Sequence, residues 1–192
     1  MERKYTIRLV IIFLLLCAIF MSSCAPKFNS DNPPWKTCSE IEGEHPCDFV
    51  LIDQEGKEVR LYDFYGKVII LDFSTMWCGP CRLAALSVDP TIKKYGEENI
   101  AYITILIDNS FGKEPDLRDV QYWATQNGIE IGPVLGGSRE FLSEGNWDVT
   151  SWPTFFFIDQ TMVLRSVIRG YNGHMIDTTI SDLLEEFDTA VE

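Results

Sequence analysis

Positive charge is the first thing this chain is short of. Its 192 residues carry 16 Lys and Arg against 29 Asp and Glu, a formal net charge of −13. A surface this acidic argues against nucleic acid or anionic lipid as a partner. Histidine is scarcer still, with only His45 and His174. There is no internal repeat and no low-complexity tract. The apolar run Leu9 to Met21 is too short to span a bilayer comfortably. Leu135-Gly136-Gly137-Ser138 lacks the Lys that a phosphate-binding loop needs, and reads as a turn into a short helix, Arg139 to Gly145. A Cys-x-x-Cys pair occurs once, and a structural zinc site would need a second pair at suitable spacing.

That single pair is the centre of the sequence: Trp77-Cys78-Gly79-Pro80-Cys81. Two cysteines so spaced can form and break a disulfide with little backbone movement. Val68-Ile69-Ile70-Leu71-Asp72-Phe73 before them is an apolar run of strand length. Arg82 to about Tyr95 after them reads as a helix, with Leu83, Leu86, Val88 and Ile92 on its apolar face and a kink or break at Pro90. Cys78 then sits at a helix N-terminus. Unpaired N–H groups and the positive end of the helix dipole stabilise a thiolate there. Cys78 is therefore expected to attack and Cys81, one turn on, to resolve. Pro80 suits a first turn, where a missing N–H costs nothing. This chemistry calls for no metal and no cofactor.

The other elements follow from pattern. Ile100 to Ile107 is a second apolar strand, and Pro115 to Asn127 a helix closed by Gly128. Thr154 to Ile158 and Met162 to Ile168 read as a hairpin. Gly173 to Val191 is an amphipathic helix with Ile176, Ile180, Leu183, Leu184 and Phe187 on one face. Strands that alternate with helices early and pair as a hairpin late indicate an α/β fold.

At these residues the chain resembles the thioredoxin superfamily, and within it the TlpA-like envelope thiol–disulfide oxidoreductases. Three stretches carry the resemblance. They are Asp53-Gln54-Glu55-Gly56-Lys57 through Gly66 to Phe73, the Trp-Cys-Gly-Pro-Cys segment with Arg82, and Ser151-Trp152-Pro153-Thr154 through Asp159. The fold implied is thioredoxin-like: a central mixed β-sheet flanked by helices, with an N-terminal hairpin extension. The resemblance makes Pro153 a cis-proline lying against the active-site disulfide. It makes Asp72 the acid that relays a proton to and from Cys81; the plainer reading is a strand-end Asp turned to solvent. Trp77, Gly79, Pro80 and Trp152 are expected to line the substrate site. Trp152 stands where the family more often has a smaller or β-branched residue.

The N-terminus reads as an address. Arg3, Lys4 and Arg8 precede the apolar run, and Ser22-Ser23-Cys24 closes it. This resembles a bacterial lipoprotein signal, with residues 1–23 removed, Cys24 lipidated, residues 24–36 a tether and residues 37–192 the thioredoxin-like domain. The alternative is an uncleaved signal anchor. Either way the domain faces the periplasm or exterior, where disulfides persist. Cys38 and Cys47 are open to three readings: a structural disulfide pinning the N-terminal arm, a second redox pair, or a metal site with His45.

The function expected is reduction of protein disulfides through the Cys78/Cys81 dithiol. The resemblance implies re-reduction by a membrane dithiol donor, with apocytochrome c as one substrate of such proteins. Rival readings on the same fold are a disulfide oxidase or isomerase and a thiol peroxidase. Thr75 matches the peroxidase pattern, but Leu71 stands where that pattern has Pro. A copper-binding assembly factor is the rival of another class. It would space its cysteines by three residues rather than two.

Overall fold

The computed structural model describes residues 28–191. The signal segment, the lipidation residue Cys24 and the start of the tether lie outside the described residues. Residues 28–33 form a short turn in which the Asn32 N–H donates to the Asn29 carbonyl (3.0 Å). Residues from Pro34 onward form a separate compact unit.

That unit is built on seven strands: β1 (Val50–Asp53), β2 (Glu58–Arg60), β3 (Val68–Thr75), β4 (Ile100–Asp108), β5 (Val134–Gly136), β6 (Thr154–Ile158) and β7 (Leu164–Arg169). Five α-helices and a 3-10 turn (Leu61–Phe64) accompany them among the described residues: α1 (Gly79–Ala85), α2 (Val88–Tyr95), α3 (Leu117–Asn127), α4 (Arg139–Glu144) and α5 (Gly173–Val191). The sheet runs β2-β1-β5-β4-β3-β6-β7, with β3, β4 and β5 parallel and the remaining pairings antiparallel. Every residue of β3 and β4 is buried. Strands covered on both faces read as unbroken apolar runs, which is how these two stand out in the sequence. The expected α/β fold, a mixed sheet with an N-terminal β1–β2 hairpin, is what forms.

Strand alternation divides the core into two layers. Val68 and Ile70 of β3 join Tyr102, Leu106, Phe155 and Phe157 in a cluster that also takes in both active-site cysteines and the buried faces of α1, α2, α3 and α5. Phe73 points to the opposite side, where it packs with Phe141, Trp147 and Phe156 at ring separations of 5.2–6.4 Å.

Three local expectations are corrected. The helix expected from Arg82 to Tyr95 is two helices, broken at Leu86 and Ser87 rather than at Pro90. Pro90 falls in the first turn of α2, where its missing N–H has no intrahelical acceptor to lose. The break resets the helical phase, so the buried face of α1 is Cys81, Ala84 and Ala85, while Leu83 and Leu86 are 56% and 58% exposed. Leu135-Gly136-Gly137-Ser138 is not all turn, because Val134 to Gly136 is a sheet strand. The glycines there serve packing: a Cβ on Gly137 would stand 2.8 Å from Ile105 Cγ2.

Cys38 and Cys47 are disulfide-bonded. The arm that carries them is fastened at several points. Gly43 N–H donates to the Leu164 carbonyl (2.7 Å) and Leu164 N–H to the Glu44 carbonyl (2.9 Å), so the arm pairs with the start of edge strand β7. Trp35 stacks on His45 (centroids 4.0 Å apart), and His45 Nδ1 lies 2.8 Å from the Met162 carbonyl, to which it donates. Cys47 also borders a groove lined by Phe49, Phe141 and Trp147, on the Phe73 side of the sheet. Replacing both cysteines with Ser is expected to lower the unfolding free energy by ~2–3 kcal/mol in urea titrations. The potential of Cys78–Cys81 should not move; a shift would make the arm disulfide a second redox pair. Among the described residues no helix is long and apolar enough to cross a membrane.

Candidate active site

Backbone geometry places the cysteine pair. β3 ends at Thr75, and the Cys78 N–H donates to its carbonyl (3.3 Å). Met76 N–H donates to the Asp108 carbonyl (2.9 Å), which ties the loop to the end of β4. Cys78 is then the N-cap of α1, with Gly79 and Pro80 opening the helix. Its sulfur accepts a hydrogen bond from the Cys81 N–H at 3.2 Å. The same N–H would stabilise a thiolate on Cys78 once the bond opens, together with the helix dipole. The pair is a disulfide in this structure. Cys78 is 6% exposed and Cys81 fully buried, so only Cys78 offers its sulfur to an incoming partner.

Asp72 lies on β3 two residues from Ile70 and therefore on the same face, the face of the cluster that contains both cysteines. It is fully buried. Ser74 Oγ donates to its Oδ1 (2.7 Å), while its Oδ2 has no hydrogen-bond partner among the described residues. Burial pushes this carboxyl up to about 7, and the Ser74 hydrogen bond opposes the shift only in part. A carboxyl that titrates there can take up or give back a proton at neutral pH. Beside it in register on β4 is Thr104, whose Oγ1 is buried and also without a partner among the described residues.

The Trp152–Pro153 bond is cis. Thr154 opens β6 opposite Phe73, so the proline sits beside the end of β3, next to the cysteine loop. Thr154 Oγ1 donates to the Ser151 carbonyl (2.7 Å) and Gly170 N–H to that of Pro153 (2.7 Å), which fixes the turn from both sides. Trp152 packs against the cysteine cluster. Trp77 is 51% exposed and donates from Nε1 to Asp108 Oδ2 (3.3 Å).

The structure thus gathers Cys78, Cys81, Trp77, Trp152 and Pro153 at the C-terminal end of β3, with Asp72 on the sheet face beneath. Cys38, Cys47 and His45 belong instead to the arm, and His174 to the start of α5. Two residues of the site were not foreseen. Asp108 ends β4 almost wholly buried, and Arg139 opens α4; Arg139 Nε donates to Asp108 Oδ1 (3.0 Å) and its Nη2 to Oδ2. The one sequence signal was an Asp closing an apolar strand, the same pattern that drew attention to Asp72.

Comparison with known proteins agrees with this geometry. The model of the AhpC/TSA family matches residues 43–167. Thiol-disulfide oxidoreductase ResA of Geobacillus thermodenitrificans is 28% identical over 169 residues, covering 88% of this chain and 89% of that one. The exposed lipoprotein thioredoxin of Streptococcus pneumoniae superposes with a TM-score of 0.57 at 30% identity, covering 71% of this chain and all of that one. A thioredoxin-family thiol:disulfide interchange protein of Chlorobium tepidum has the same fold, with a TM-score of 0.63 at 23% identity over 76% of this chain and 99% of that one.

Proposed function

Because the chain belongs to the AhpC/TSA family, we propose that it is a reductant of protein disulfides working outside the cytoplasmic membrane. It is a thiol–disulfide oxidoreductase whose redox centre is Cys78–Cys81. In the reducing direction the Cys78 thiolate attacks one sulfur of a substrate disulfide, joins it and expels the other as a thiolate. Cys81 then attacks Cys78, releases the second substrate thiolate and closes the Cys78–Cys81 bond. Two electrons pass to the substrate. The Cys81 proton goes to Asp72, a base of suitable pKa on the same face of the sheet. The oxidised pair must then be re-reduced, and for a domain outside the cytoplasm that implies a membrane dithiol donor. Apocytochrome c is one candidate substrate, since its thiols must be reduced before haem attachment.

The observation that carries this reading is the Cys81 N–H held on the Cys78 sulfur at a helix N-terminus, with the buried Asp72 below. Location outside the cytoplasm is supported by the second disulfide, Cys38–Cys47, which would be reduced in a cytosol. The Streptococcus pneumoniae relative is itself an exposed lipoprotein. Lipidation at Cys24 follows as the means of anchoring. Equilibration of Cys78–Cys81 with a redox buffer tests the polarity. A potential near that of thioredoxin, about −270 mV, is expected. A value near that of disulfide isomerase, about −180 mV, or above it would replace the reductase by an oxidase or isomerase.

A further inference from the structure

Two tryptophans stand at the site, Trp77 directly before Cys78 and Trp152 directly before the cis-proline. Both are tied to the same buried carboxylate. Asp108 Oδ2 accepts from Trp77 Nε1, and the whole carboxylate takes two hydrogen bonds from Arg139. A guanidinium bound through two nitrogens is fixed in plane as well as in place. Its carbon lies 6.0 Å from the centre of the Trp152 ring, within cation–π range. Trp152 is pressed in turn onto the cluster that holds Cys78 and Cys81. The chain of contacts runs Trp77, Asp108, Arg139, Trp152, and it links the residue before Cys78 to the residue before the cis-proline.

We propose that Arg139 is a specificity-determining residue: it holds Trp152 in place before the cis-proline, so that the site favours polypeptide disulfides over small ones. This rests on the oxidoreductase reading above. An extended polypeptide passing the cis-proline loop buries apolar area on both indoles and finds them already ordered, so little of its binding energy is lost in arranging them. A small disulfide such as oxidised glutathione gains almost none of that area and meets a nearly buried cysteine. Releasing Trp152 removes the first advantage and the second obstacle together. Arg139 does not touch the reacting sulfurs, and its part is positional.

The test compares the reduced wild-type protein with Arg139→Lys, Arg139→Ala and Trp152→Ala on two substrates, a disulfide-bonded peptide and oxidised glutathione. Arg139→Ala leaves Asp108 buried without its cation, at a cost to folding, which is why Arg139→Lys and Trp152→Ala are included: the first keeps a charge on Asp108 but loses the planar contact, the second leaves the ion pair whole. For each folded variant the peptide KM is expected to rise about 3–10-fold with kcat within twofold of wild type. The rate with glutathione should rise several-fold. Equal peptide-to-glutathione preference in wild type, Arg139→Lys and Trp152→Ala overturns the assignment. A wild-type protein inert to both disulfides would instead overturn the oxidoreductase reading and this inference with it.

Discussion

Cys81→Ser is expected to stall the enzyme on its own intermediate. With the buried resolving thiol gone, Cys78 still attacks a substrate disulfide, but nothing releases it. The substrate should be recovered as a mixed disulfide on non-reducing gels, linked at Cys78 by mass spectrometry. Cys78→Ser should form no such adduct and should lose disulfide-reducing activity by about a thousandfold or more, because a hydroxyl at that place is almost never ionised. The asymmetry follows from exposure and hydrogen bonding. Cys78 has the only accessible sulfur of the pair and receives the Cys81 N–H, while Cys81 is sealed beneath it. Trapping through Cys81 in the Cys78→Ser protein would reverse the assigned roles.

Asp72→Asn should make the protein slower and more stable at once. The carboxyl titrates near 7 in the folded chain, against 3.8 for an unperturbed Asp. Between those values the folded protein binds a proton that the unfolded chain has given up. Stability therefore falls as pH rises through that window, and the loss is complete above it. Asn is neutral at every pH and escapes the loss. The variant should gain about 2–4 kcal/mol over wild type at pH 8 and nothing at pH 4, read from denaturant midpoints at the two values. Disulfide exchange should drop about a hundredfold at neutral pH, as expected when a positioned proton acceptor is removed, and the step near pH 7 in its rate profile should vanish. An unchanged rate profile in a folded Asp72→Asn protein would leave Asp72 with no part in proton transfer.

How much of this was readable beforehand depends on how local each feature is. The cysteine pair, its helix N-terminus and the apolar strand leading to it lie within fourteen residues of one another, and short-range pattern places all of them. Pro153 stood out only through the family resemblance, since nothing in the neighbouring residues dictates a cis bond, whereas Asp72 stood out as a carboxylate inside an apolar strand and took only its proton-relay role from the resemblance. Leu83 and Leu86 were put on the wrong face because the break before Ser87 shifts the helical phase, and a phase shift leaves no mark on composition. β5 was missed because three residues, one of them Gly, are too few to show a period. Asp108 and Arg139 were missed for a different reason. Their ion pair joins residues 31 apart in sequence, brought together by the packing of α4 against the end of β4, and no local rule anticipates it.

The arm closed by Cys38 and Cys47 has a consequence under the proposed function, in which the substrates are polypeptides. β7 is one of the two outermost strands of the sheet, β2 being the other, and an outermost strand offers unpaired N–H and C=O groups to any extended polypeptide that comes near. Clients of a disulfide reductase are such polypeptides. Gly43 and Glu44 occupy both backbone groups of Leu164, where β7 begins, and the disulfide keeps the loop that carries them from opening. The chain thereby supplies its own backbone partner at that point. A client that reaches this end of β7 finds Leu164 already paired, which removes one place where client chains could assemble on the sheet edge.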